Sequence, residues 1–230
     1  MNKTRYISLM DLPGQYKLVE KEVLPKIKEV LASGRYIMGP EVTKFENDFA
    51  KFCNAKYCIG TSSGTESLYL SLLTLGIGVG DEVITVPNTF TATAEVIVLV
   101  GATPVFADID PKTMNLDPKS MSRKITNKTK AVIPVHLHGN PVDLDEIYKI
   151  TKPGGLKQAK KIAVIEDAAQ AHGAKYKGKM IGSHGSEFVC FSFHPVKNLG
   201  AFGDAGAVVT NNKKLEEILR KLSNHGREDH

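Results

Sequence analysis

Along most of its length the chain alternates apolar runs of strand length with longer stretches of helical periodicity. The pattern predicts helices over 19–31 and 41–52, a strand over 57–59, and a helix ending at Leu75. It then predicts strand 82–86, helix 91–100, strand 104–107, strand 130–135, helix 143–150 and strand 162–165. Strands 187–193 and 207–210 and a helix over 213–223 complete it. Short strands regularly interleaved with helices fit one arrangement well: a three-layer α/β/α domain with a mostly parallel mixed sheet covered on both faces. In open sheets of this kind ligands sit at the carboxyl ends of the strands. Chemistry is therefore expected just after each strand.

Composition removes several alternatives. The 230 residues are 42% hydrophobic and 24% charged, which excludes disorder for the bulk of the chain. No apolar stretch reaches the roughly 18–20 residues of a membrane span, and 1–10 has no apolar core of a secretory signal. The net charge of +5 rests mostly on lysine, with arginine only at Arg5, Arg35, Arg123, Arg220 and Arg227. Without an arginine cluster the chain does not read as a nucleic-acid reader. The short basic groups 157–161 and 175–179 read as solvated surface. Cys53, Cys58 and Cys190 form no CxxC pair, so a reducing cytoplasm is expected. Cys190, inside Phe188-Val189-Cys190-Phe191, is a core candidate.

Three segments carry chemistry. Thr61-Ser62-Ser63-Gly64-Thr65-Glu66 opens a helix after the first strand. It reads either as a capped helix start or as a turn whose free amides attract a phosphate. Strand 162–165 ends in Glu166-Asp167. A carboxylate delivered from a buried strand needs a partner; a protonated pyridinium nitrogen is one, and an N-cap for the next helix is the plainer role. Phe191-Ser192-Phe193-His194-Pro195-Val196-Lys197 places a hydroxyl and an ammonium five residues apart after an apolar strand. Lys197 is either an amine nucleophile tuned by its neighbours or a surface lysine.

Three other patterns are weaker. Gly173 to Met180 nearly matches a nucleotide-binding loop but lacks the hydroxyl that would bind magnesium, and reads as a hairpin. Gly76-Ile77-Gly78-Val79-Gly80 follows a helix rather than the strand a dinucleotide fingerprint requires. His136 and His138 are expected on one side of a strand, but no third ligand accompanies them and no metal is expected.

Taken together, the segments resemble the DegT/StrS-type sugar aminotransferases, pyridoxal phosphate (PLP) enzymes of the aspartate aminotransferase superfamily, fold type I. The resemblance runs in order through 33–40, 63–68, 80–83, 87–92, 107–110, 134–139, 166–173, 191–198, 203–207 and 224–227. It implies that Lys197 holds the cofactor through a Schiff-base linkage and shuttles the proton. Asp167 would pair with the ring nitrogen, Gln170 would lie near the ring hydroxyl and Phe90 would stack on the ring. Gly64, Thr65 and Ser192 would hold the phosphate. Tyr36, Met38, His172 and His194 are candidates for the substrate side, with packing or local hydrogen bonding as the alternative.

The reaction so implied moves an amino group from an amino acid, L-glutamate first among donors, to a keto group of a nucleotide-linked sugar. A homodimer with its active site at the subunit interface, and no nucleic-acid or membrane partner, is implied as well. The alternatives are a PLP-dependent sugar dehydratase or ring-forming synthase of the same family, or a non-catalytic regulator on the same scaffold. Lys197 favours transfer, since the dehydratases carry histidine there. Two departures from the family pattern are Ser186, where an acid is common, and the insertion 152–158, expected to be a surface loop. Family members are longer, so the expectation is a PLP-binding large domain over 1–230, with an N-terminal helical segment and without the smaller C-terminal domain.

Overall fold

A computed structural model describes residues 7–154 and 161–227. The chain divides into two compact units, Met1–Thr43 and Lys44–His230. The basic group 157–161 and the inserted segment 152–158 lie largely outside the described residues.

The first unit is built on helix α1 (Leu12–Ser33) and contains the start of α2 (Pro40–Cys53). Apolar periodicity alone places the start of α1 at Val19. The helix begins earlier because Asp11 caps it, accepting the Gly14 amide at 3.0 Å, and Pro13 stands in the first turn. Gly34 closes it in the left-handed region, φ 68°. None of its residues is buried.

The second unit holds a seven-stranded sheet in the order β1-β9-β8-β5-β4-β2-β3. The strands are β1 (Tyr57–Thr61), β2 (Glu82–Thr85), β3 (Thr103–Phe106), β4 (Thr129–Val132), β5 (Ala163–Asp167), β8 (Phe188–Ser192) and β9 (Gly206–Thr210). A separate hairpin pairs β6 (Lys175–Tyr176) with β7 (Lys179–Met180), as the reading of the nucleotide-loop lookalike expects. Strands β3, β2, β4, β5 and β8 pair in parallel, and β9 runs antiparallel to both β8 and β1. The sheet is thus mixed but mostly parallel.

Alternation along each strand builds two cores. Val164, Val189, Phe191 and Val209 face one side, where Phe49 of α2, Met121 of α5 (Pro118–Lys124) and Ile147 of α6 (Leu144–Thr151) cover them. Ile165, Phe188, Cys190 and Val208 face the other, under Leu68 and Leu72 of α3 (Gly64–Thr74), Val96 of α4 (Ala92–Leu99) and Leu219 of α7 (Lys213–Ser223). Phe188 and Phe191 are almost wholly buried, and each contributes about 1.5–3 kcal/mol on burial. All three cysteines are buried free thiols, and burial pushes Cys53 up to about 12.

The expected histidine pair is corrected. His136 and His138 do not share a strand face: β4 ends at Val132 and a 3-10 turn spans Leu137–Gly139. His138 takes φ 55°, which breaks the alternation on which the pairing depended.

Candidate active site

Three strand ends meet one cavity of about 390 Å³ at the carboxyl edge of the sheet. Its lining includes Gly64, Thr65, Phe90, Asp167, Ser192, His194 and Lys197, together with Thr93, Val196 and Asp204.

Asp167 ends β5 on the α3/α4 face of the sheet and is 7% exposed. Its Oδ2 accepts the Thr93 hydroxyl of α4 at 2.8 Å, and its Oδ1 accepts the Ala169 amide at 3.1 Å. Burial pushes the carboxyl above its ordinary value; the Thr93 and Ala169 donors and the nearby His136 and Lys197 oppose the shift without cancelling it. Thr93 is a site residue that periodicity does not reveal. Its signal is a hydroxyl on the otherwise apolar inner side of α4, and it is fully buried.

The start of α3 forms a second wall. Ser63 caps it through the Glu66 amide at 3.1 Å, and Glu66 reaches back to the Ser62 amide at 2.5 Å. Thr61 and Ser67 hydroxyls, 2.7 Å apart, brace the turn from within. Among the described residues the amides of Gly64 and Thr65 have no hydrogen-bond partner. The helix start lies against the end of β8: a Cβ on Gly64 would stand 2.6 Å from Ser192 Cβ, a distance only glycine avoids. Ser192 Oγ accepts the His194 amide at 3.3 Å, which leaves its own hydrogen to donate.

Lys197 sits on the turn after β8. Its backbone amide donates to His194 O at 2.8 Å. The connection is tied at its base by Phe193 N to Ala205 O and Ala201 N to Phe193 O, both 2.7 Å. Phe90, 74% exposed, stands at the rim of the cavity. His194 is exposed, and its Nδ1 accepts the Val196 amide at 3.4 Å.

Other candidates fall elsewhere. Gln170 is not in the cavity lining; its Oε1 accepts the His138 amide at 2.8 Å. His172 packs among Phe49, Phe191 and Phe193, with ring centroids 5.3–6.4 Å apart. Burial pushes it down to about 4, with the Lys197 charge adding and the Ser192 backbone opposing. Tyr36 and Met38 belong to the first unit, where the Tyr36 hydroxyl donates to Leu31 O at 3.1 Å and Met38 takes φ 50°.

Glu166 points to the opposite face from its neighbour Asp167. It meets His136 Nε2 at 2.7 Å, both side chains being fully buried. His136 Nδ1 accepts the Val142 amide at 3.1 Å, so Nε2 carries the proton and donates. Ser186, the departure from the family pattern, contacts the Tyr148 hydroxyl at 2.9 Å, and burial raises that tyrosine's pKa.

Residues 17–230 match the DegT/DnrJ/EryC1/StrS aminotransferase family. The UDP-2-acetamido-2-deoxy-3-oxo-D-glucuronate aminotransferase of Pseudomonas aeruginosa is 46% identical over 96% of this chain and 60% of its own length. The crystal structure of S. venezuelae DesV in complex with a ketimine intermediate superposes with a TM-score of 0.92 at 42% identity, over 98% of this chain and 59% of that one. That of ntda from Bacillus subtilis with bound cofactor pmp has a TM-score of 0.85 at 35% identity, over 99% and 51%. The chain thus spans little more than half the length of the proteins it matches. With this fold, and with its motifs in order, the chain belongs to the DegT/DnrJ/EryC1/StrS aminotransferase family.

Proposed function

We propose that the chain forms the cofactor-binding domain of a PLP-dependent aminotransferase that moves an amino group from an amino acid to a nucleotide-linked keto sugar. The observation that carries this reading is the convergence on one cavity of a buried carboxylate, a lysine, and a turn with two unpartnered amides beside a hydroxyl. That donor set fits the cofactor. Two free amides at a helix start and the Ser192 hydroxyl suit a phosphate. A carboxylate made costly by burial suits a cationic ring nitrogen, whose charge offsets the penalty.

Pyridoxal phosphate, when bound, supplies a reactive carbonyl carbon and a ring that accepts electrons. The chain's own groups do the rest. Gly64, Thr65 and Ser192 would bind the phosphate and fix the depth of the ring. Asp167, held by Thr93, would keep a proton at the ring nitrogen. Lys197 would anchor the cofactor, then take a proton at Nζ from the amino donor and return it to the product. Gln170, already fixed by the His138 amide, would stand beside the ring hydroxyl, and Phe90 would cover one face. His194, Tyr36, Met38 and His172 are assigned to the substrate side.

The same proposal includes a homodimer with the site at the subunit interface, supported by the exposed Phe90 and Val196 at the cavity rim. Among the described residues no helix is long and apolar enough to cross a membrane, and we place the enzyme in the cytoplasm. The relatives' sugar substrates support the substrate class.

Lys197→Ala tests the reading. In the full chain with added PLP, borohydride should fix cofactor to wild-type Lys197, as peptide mass mapping reads, and to no residue in the variant. Amino transfer should fall by at least about 10²-fold, the lower range for loss of a positioned general base. Full activity in the variant, or cofactor mapped to another lysine, overturns the assignment.

A further inference from the structure

Strand β1 leads directly into the turn that presents the Gly64 and Thr65 amides, yet among the described residues it stands at the edge of the sheet and pairs with β9 alone. An edge strand leaves one row of backbone groups without a ladder. Here two side chains take up that row. Glu46 Oε1, from α2, accepts the Gly60 amide at 2.8 Å. The Arg220 guanidinium, from α7, donates to Cys58 O at 3.3 Å. Residues two apart in a strand present their backbone groups to the same edge, so Cys58 and Gly60 are held from one side.

The two side chains also hold each other. Arg220 Nη1 lies 3.1 and 3.3 Å from the Glu46 oxygens, and Arg220 Nε lies 2.7 Å from Glu216 Oε1. The carboxylates of Glu46 and Glu216 are 10% and 7% exposed as side chains, and Arg220 is 24% exposed. A planar fork grips a carboxylate and a carbonyl with donors in fixed directions, whereas a lysine offers three freely rotating donors at one point.

The held residue, Gly60, is three positions before the cap Ser63. The intervening turn is braced, with Thr61 Oγ1 bonded to Ser63 O at 3.1 Å and to the Ser67 hydroxyl. A shift at Gly60 therefore carries through to the amides of Gly64 and Thr65.

We propose that the Glu46–Arg220 pair is a positioning clamp for the phosphate-binding turn, gripping the free edge of β1 so that the turn is ordered before the ligand arrives. The clamp touches no cofactor atom and acts through Gly60. This rests on the reading that the turn binds the cofactor's phosphate.

The test compares PLP with pyridoxal, which lacks the phosphate, as ligands of the full chain. Glu46→Gln removes the charge with little change of shape; Arg220→Lys keeps the charge and loses the fork. In both variants the affinity for PLP should fall about tenfold or more (a tenfold loss is 1.4 kcal/mol), and the weaker affinity for pyridoxal should stay unchanged. Thermal unfolding is measured alongside. An equal loss for the two ligands, or no loss for either, overturns the clamp. Hydrogen exchange at residues 61–65 gives a second arm that needs no ligand: both variants should exchange faster there, and unchanged rates also overturn it. If wild type fails to prefer PLP over pyridoxal, the cofactor reading falls, and the exchange arm still decides whether the clamp orders the turn.

Discussion

The carboxyl of Asp167 is buried, and its donors do not remove the whole cost of burying it. Its folded pKa lies above the ordinary 3.8. Between those two values the folded chain binds more protons than the unfolded one, so stability falls as pH rises through that window and stays reduced above it. Asp167→Asn is isosteric and carries no charge. In the absence of cofactor it should raise the melting temperature at neutral pH and flatten its pH dependence, while weakening PLP binding. A lower neutral melting temperature in the variant would show the charge to be already compensated. Asp167 was readable in the sequence because an acid at the end of an apolar strand is conspicuous. Ser192 and Lys197 were readable because a hydroxyl closes the apolar run of β8 and an ammonium follows five residues later. The setting of Gln170 was not, because the left-handed His138 that brings its amide to the Gln170 side chain leaves no periodic trace. Thr93 escaped because a threonine in an apolar helix shows its partner only when the sheet is assembled.

At the scale of elements, the alternating pattern gave the strands that build the sheet and the helices α2, α3, α4, α6 and α7. It missed α5, whose seven residues are too few to show periodicity. The local signal was there in Asp117-Pro118, a cap accepting two amides followed by a proline in the first turn. Strand order could not be read, since pairing β1 with β9 joins segments far apart in the chain. The junction of α3 with β8 carries its own prediction. Gly64→Ala places a methyl group 2.6 Å from Ser192 Cβ, so the helix start must retreat. Overpacking of this kind costs about 1–3 kcal/mol. Chemical denaturation should show that loss, and PLP affinity should fall with it, because the same retreat would displace the Gly64 and Thr65 amides proposed to hold the phosphate. Undiminished stability would mean that the two elements can separate freely.

At the scale of the whole molecule the two units differ in how they are held. The second has a core on each face of its sheet; α1 in the first has no buried residue. Local opening is easiest where little apolar surface is packed. Hydrogen exchange on the chain should therefore find the amides of α1 exchanging well ahead of those in β8 and β9, and equal protection would reveal a cover over α1. The edge position of β1 has a last consequence, one of timing. Among the described residues its only strand partner is 206–210, and the arginine that grips its other side is number 220. A ribosome delivers the chain from its N-terminus, so β1 emerges early and stays unpaired while some 145 further residues are made, a long-range closure of the kind that folds slowly. The turn of Gly64 and Thr65, proposed to hold the phosphate, is among the first parts of the candidate site to be synthesised and among the last to be set in place.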